Sequence, residues 1–97
     1  MLHTVNKSPF QNGTMESCLR CVNPGDAVLL LEDGVFGAVT GTSKTALIEE
    51  ALKNAEVYAL SADLKARALE NIIPGIKVTD YAGFVDLVDQ NKVHSWL

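Results

Sequence analysis

Five apolar residues in a row, Ala27-Val28-Leu29-Leu30-Leu31, make the longest uninterrupted hydrophobic run in this chain. The run is far short of the ~20 residues that a membrane span requires. Its length and β-branched, aliphatic content suit a strand covered on both faces, which is the situation of a strand inside a parallel sheet. Parallel strands need crossover connections, so a strand of this kind predicts helices before and after it.

The flanking sequence supplies them. Leu2–Val5 reads as a first strand, and Ser8-Pro9 breaks it before a short helix over Met15–Val22. Asn23-Pro24-Gly25 stops that helix, because Asn tolerates the left-handed conformation and Pro cannot continue the helix. After the apolar run, Ser43–Asn54 places Leu47, Ile48, Ala51, Leu52 and Ala55 on one helical face, with Glu49 and Lys53 paired at i, i+4 on the other. Val57-Tyr58-Ala59-Leu60 is a third strand. Leu64, Ala68, Leu69 and Ile72 mark a further helix that Ser61 or Asp63 can cap. Ile76–Thr79 is a fourth strand, Asp80 is an N-cap, and Tyr81, Phe84, Val85 and Val88 fill the apolar template of a last helix. Alternation of this kind predicts one compact three-layer α/β domain spanning 1–97, with a mostly parallel sheet and helices on its faces.

Composition narrows the function classes. Hydrophobic residues make up 47% of the chain, and the mean hydropathy is +0.13. A domain this small buries only about two-thirds of its unfolded surface, so part of that apolar excess is expected to lie against other subunits. Eight basic residues stand against twelve acidic ones, net −4, and the cations are scattered. Direct nucleic-acid binding, which needs clustered cations, is therefore not expected. Met1-Leu2-His3-Thr4-Val5 has no basic region followed by an apolar stretch, which argues against a secretory leader. Two cysteines without such a leader indicate the cytoplasm, where thiols stay reduced.

Chemistry concentrates on the cysteine-bearing helix. Met15, Cys18, Leu19 and Val22 form its apolar stripe. Cys18 lies about 50° from the centre of that stripe and Cys21 roughly 110° from it, at about 100° per residue. Cys18 is thus expected to pack and Cys21 to meet solvent or a partner's sulfur. The C-x-x-C spacing matches that of dithiol oxidoreductases, but those place the reactive thiol at a helix N-terminus, and Cys21 occupies a last turn. A zinc site would need His3 and His94 to join both cysteines. One of those cysteines is on the core stripe, and His3 inside a strand reads as a hydrogen-bonded structural histidine. No metal and no cofactor are expected.

Two loop features are weaker. Gly37–Thr45 lacks the G-x-x-x-x-G-K-[ST] spacing of a phosphate loop and reads as a loose turn, with Thr42 or Ser43 capping the next helix. Asp33-Gly34 lies at a strand end, where open α/β sheets place ligands, yet it is also an ordinary turn pair.

The residues also carry a family resemblance. The opening Met1-Leu2-His3-Thr4-Val5 with Ser8-Pro9-Phe10, the segment Gly25-Asp26 leading into Leu29-Leu30-Leu31-Glu32-Asp33-Gly34-Val35, and Val57-Tyr58-Ala59-Leu60 resemble the DsrH/TusB family. Asp63-Leu64 with Arg67 and Leu69, Asp80-Tyr81 with Phe84-Val85, and Trp96 extend the likeness over essentially the whole chain. Ala68 departs from it, standing where the family pattern has glycine; the departure is expected to touch helix packing. The resemblance implies a DsrE-like fold and a place in an α2β2γ2 heterohexamer with two paralogous subunits, DsrE/TusD-like and DsrF/TusC-like. Such complexes pass persulfide sulfur to a DsrC/TusE-like acceptor, with the principal relay cysteine on the DsrE/TusD-like subunit. Cys21 would then be an accessory persulfide carrier, with Cys18 the weaker candidate. DsrH subunits carry a cysteine in this helix, whereas the enteric TusB type has leucine at both positions. That difference favours the DsrH type, in dissimilatory sulfur oxidation, over the TusB type, in 2-thiolation of tRNA wobble uridine. A structural subunit with two inert thiols is the competing class.

Overall fold

A computed structural model describes residues 1–97. Five parallel strands form one sheet in the order β4-β3-β2-β1-β5. In chain order they are β1 (Leu2–Val5), β2 (Ala27–Leu30), β3 (Glu56–Leu60), β4 (Lys77–Thr79) and β5 (Val93–Trp96). The helices are α1 (Thr14–Cys21), α2 (Thr45–Ala51), α3 (Ser61–Ala66) and α4 (Tyr81–Gln90), and a 3₁₀ segment runs over Glu32–Ala38.

The apolar run explains the architecture. It supplies β2, the central strand, whose four residues are all buried. Val28 and Leu30 face one side, where they join Val5, Met15, Cys18, Val35, Ile48, Val57 and Leu64 in the main core under α1, α2, α3 and the 3₁₀ segment. Ala27 and Leu29 face the other, with Leu2 beside them and Phe84 and Leu87 of α4 packed on top. Burial of each large aliphatic side chain here stabilises the fold by roughly 1.5–3 kcal/mol.

Four differences from the sequence reading have physical causes. β5 was not among the four expected strands, because Val93, His94 and Ser95 are exposed and an edge strand with one neighbour needs no apolar run. Helix α2 covers Thr45–Ala51 rather than Ser43–Asn54. Its entry also differs: the Thr42 hydroxyl accepts from Lys44 N at 3.1 Å, so the turn before the helix is held by a side chain that does not cap the helix itself. Helix α3 stops at Ala66 instead of running on to Ile72, and Ile72 instead bridges Val39. The stop is marked by Ala68 at φ +53°, a conformation that favours glycine, so what was expected to touch packing at this position falls on helix termination.

The fourth difference concerns α4. Asp80 caps it as expected, accepting from Gly83 N at 2.9 Å. Its apolar template, however, divides between two directions. Phe84 and Leu87 pack on the sheet, while Tyr81, Val85 and Val88 are exposed.

The 3₁₀ segment is clamped at the carboxyl ends of β2 and β3. Glu32 takes φ +50° and donates its N–H to Asp63 Oδ2 at 2.6 Å, and Arg67 holds Asp33 Oδ1 through two nitrogens at 2.8 and 3.0 Å. Gly34 is required by close approach, since a Cβ there would overlap the Val5 carbonyl oxygen. Asp33-Gly34 is therefore part of a structural clamp.

Candidate functional site: the carboxyl end of the cysteine helix

Helix α1 lays one face on the core. Met15 and Cys18 are buried and Leu19 and Val22 are partly buried against the same cluster, as the stripe predicts. Cys18 is fully inaccessible, whereas Cys21, one turn later and off the stripe, is exposed. Both thiols are free. Burial pushes the Cys18 thiol up to about 12, with the neighbouring Cys21 adding to the effect. The two sulfurs thus have different roles available: Cys18 is a small core hydrophobe, and Cys21 is open to reagents.

The backbone behind Cys21 is anchored. Val22 turns extended, and Gly25 takes φ +89° to bring the chain back into β2. Asp26 organises this turn. Its carboxylate accepts from Asn23 N at 3.0 Å, from His3 Nε2 at 3.0 Å and from the Met1 ammonium at 3.2 Å. The Asn23 hydrogen bond, then the His3 one, hold Asp26 down at about 2, with the amino terminus contributing as well. His3 is buried, and its other nitrogen is also occupied: Trp96 Nε1 donates to Nδ1 at 3.1 Å. Because an indole nitrogen only donates, His3 carries its proton on Nε2 and gives it to Asp26. The structural reading of His3 holds. The same geometry removes it as a metal ligand, and no three His, Cys, Asp or Glu side chains converge elsewhere.

Sequence reasoning missed the Trp96 contact. Trp96 belongs to the strand that lacked an apolar signature, and its pairing with His3 spans 93 positions. The signal was present as an aromatic with one polar atom, which seeks a partner when half-buried.

The cation next to Cys21 in sequence is taken up within the helix. Arg20 is engaged with Glu16 at 3.1 Å, one turn back on the same helix. A groove of about 220 Å³ runs between α1 and α2, floored by Leu19, Val22, Leu47 and Ala51. Arg20 and Val22, the residues on either side of Cys21, both line it. The arrangement can present a thiol on a fixed helix end beside a partly apolar groove.

Comparison with known proteins gives this geometry a family. A family model described as "DsrH like protein" matches residues 7–94. The chain is 43% identical over 100 residues to Protein TusB of Shigella flexneri, covering 99% of this chain and 100% of that protein. It is 39% identical over 92 residues to Protein TusB of Erwinia tasmaniensis, covering 94% of each. The chain belongs to the DsrH/TusB family.

Among solved structures, the ychN protein from Escherichia coli superposes with a TM-score of 0.81 at 16% identity over 97% of both chains. A protein from Methanobacterium thermoautotrophicum superposes with a TM-score of 0.75 at 13% identity, covering 97% of this chain and 95% of that one. These likenesses establish a shared α/β fold. Within the family, the curated relatives correct one expectation. The two cysteines favoured the DsrH type, yet relatives similar over nearly the whole chain carry the TusB name. Two side chains on one short helix weigh less than similarity along the full length. No helix is long and apolar enough to cross a membrane.

Proposed function

We propose that this chain is a TusB-type subunit of a sulfur relay, serving 2-thiolation of tRNA wobble uridine through transfer of persulfide sulfur between proteins. The observation that carries this reading is the near full-length similarity to proteins named TusB. It works with TusD-like and TusC-like paralogues, in two copies each, and with a TusE-like acceptor. The acidic balance of the chain fits a subunit that handles proteins and leaves tRNA to others.

In this reading the principal relay cysteine lies on the TusD-like subunit, and Cys21 is an accessory carrier. The chemistry is thiolate exchange. The Cys21 thiolate attacks the outer sulfur of a donor persulfide, the donor's S–S bond breaks, and the donor leaves as a thiolate. The Cys21 persulfide is then attacked at its outer sulfur by the acceptor thiolate, which restores Cys21. Electrons and atoms balance without an external oxidant or reductant. The exposure of Cys21 supports this role, and the burial of Cys18 withholds the second thiol from it.

The competing reading is a structural subunit with inert thiols, favoured by the pairing of Arg20 with Glu16, which ties up the cation next to Cys21 in sequence. Intact mass after incubation with a sulfur donor separates the two, measured alone and in the reconstituted complex. A carrier gains one sulfur, lost on reduction, in the parent and in Cys18→Ser but not in Cys21→Ser. Loading that persists in Cys21→Ser removes Cys21 from the relay, and no loading in any form leaves the structural role.

A further inference from the structure

Helix α1 carries two thiols three positions apart, and the relay reading uses only one of them. Cys18 belongs to the main core with Met15, Val28 and Leu30 and is fully inaccessible, while Cys21 ends the helix in the open. Residues three apart on an intact helix hold their Cβ atoms about 5–6 Å apart, whereas a disulfide needs roughly 3.5–4.5 Å. A bond between the two sulfurs therefore requires the last turn of α1 to unwind and Cys18 to leave the core. Three sets of contacts oppose that movement. Leu19 and Val22 pack on the core, Arg20 and Glu16 pair across the turn at 3.1 Å, and just beyond it Asn23 N is held by Asp26 at 3.0 Å.

The same turn is nevertheless the part of the helix that opens most readily. With eight residues, α1 is too short to hold itself together without tertiary support. Cys21 is its last residue, and Val22 is already extended at ψ 129°. Helix ends of this kind fray at a smaller cost than global unfolding. The chain thus keeps a second thiol that is out of reach of Cys21 while the turn is closed and within reach once it opens.

We propose that the last turn of α1 is a latch on sulfur carried at Cys21: closed, it keeps the persulfide for transfer to other proteins, and open, it lets Cys18 expel that sulfur as hydrosulfide. The inference rests on the reading of Cys21 as a persulfide carrier and adds the fate of its cargo. In the open state the Cys18 thiol gives its proton to solvent, and the thiolate attacks the inner sulfur, that of Cys21. The Cys18–Cys21 bond forms, the bond to the outer sulfur breaks, and the outer sulfur leaves with the electron pair as hydrosulfide. Cys18 sulfur is oxidised by as much as the departing sulfur is reduced, so no external oxidant or reductant is needed. Burial reinforces the geometry. A Cys18 thiol at about 12 against an ordinary 9.0 has its thiolate fraction lowered roughly 1000-fold, and the greater nucleophilicity of a more basic thiolate returns only about 15–30-fold of that.

The test loads the folded protein with inorganic polysulfide, removes the excess by gel filtration, and follows released sulfide and intact mass near neutral pH. Protein unfolded in urea should release sulfide about 30-fold or more faster than folded protein, at a rate independent of protein concentration, and should end at the mass of an internal disulfide. Cys18→Ala should keep its sulfur in urea, where its own folding stability plays no part. In the folded state Arg20→Gly is compared with Arg20→Ala. Both remove the pair with Glu16 at an exposed position, and only glycine weakens the turn itself, so Arg20→Gly should release sulfide about fivefold faster. Equal release from folded and unfolded protein, release that survives Cys18→Ala, equal rates for the two Arg20 variants, or no loading by polysulfide overturns the proposal. The relay reading fails separately, on transfer from a donor protein, which polysulfide loading does not involve. A chain that behaves as expected here but takes no sulfur from a donor protein keeps the latch and loses the relay; one that takes relay sulfur and fails here loses the latch alone.

Discussion

Replacing Ala68 by glycine should stabilise this protein. Ala68 follows the Arg67 C-cap of α3 and is held at φ +53°, the left-handed region that a side chain with a Cβ enters at a cost of roughly 1–2 kcal/mol. The conformation is not optional. The Ala68 and Leu69 N–H groups bond back to Lys65 and Leu64 carbonyls at 3.1 and 3.0 Å, closing the end of the helix as a left-handed cap requires. Glycine removes the steric cost but adds conformational freedom to the unfolded chain, which offsets about 0.4–1 kcal/mol. Ala68 is exposed, so little packing is lost with its methyl group. The balance favours Ala68→Gly by about 0.5–1 kcal/mol. For a domain of this size 1 kcal/mol moves the midpoint by roughly 4–8 °C, so the melting temperature should rise by about 2–8 °C. Thermal unfolding followed by circular dichroism, on parent and variant at equal concentration, reads this directly. An unchanged or lowered midpoint refutes the argument that backbone conformation, and not packing, sets the cost of a side chain at this position.

Cys18, in a Cys21→Ser background, should resist alkylation: with the thiol at about 12 against an ordinary 9.0, its thiolate fraction near pH 8 falls by roughly 1000-fold, so labelling should need denaturant; rapid native labelling would contradict its burial. The same burial raises the folded-state value above the unfolded one, so its stabilising contribution is complete below about pH 9 and is lost as pH rises toward 12, at about 1.4 kcal/mol per pH unit. Urea titrations at pH 8 and 10 should show that loss, and Cys18→Ala should flatten it. For Asp26 the sign is opposite: its folded value is lowered from 3.8 to about 2, so its contribution is present above pH 3.8 and disappears as pH falls toward 2. About 1–2 kcal/mol is involved after solvent screening, and Asp26→Asn should reduce the acid-side slope of stability against pH.

Much of this protein was legible in its residues because the signals were local and periodic. The apolar run suited a doubly covered strand, and it became β2 at the centre of a parallel sheet. The stripe of Met15, Cys18, Leu19 and Val22 separated the two cysteines by angle alone, and the helix buries one and exposes the other. Asp80 capped α4 because an N-cap depends on a few adjacent residues.

What depended on distant parts of the chain was not legible. β5 carries no apolar pattern, because its place is decided by the edge that β1 offers. His3 looked structural, yet its two partners, Asp26 and Trp96, lie 23 and 93 positions away. The outward turn of Tyr81, Val85 and Val88 could not be foreseen either, since periodicity marks which side chains are apolar and not whether the chain has a surface left to cover them. Local chemistry thus determined most of the elements, the family likeness and the contrast between the cysteines. Only the tertiary structure decided which apolar stripe met the sheet and which met solvent, because that depends on how many faces one small domain can close.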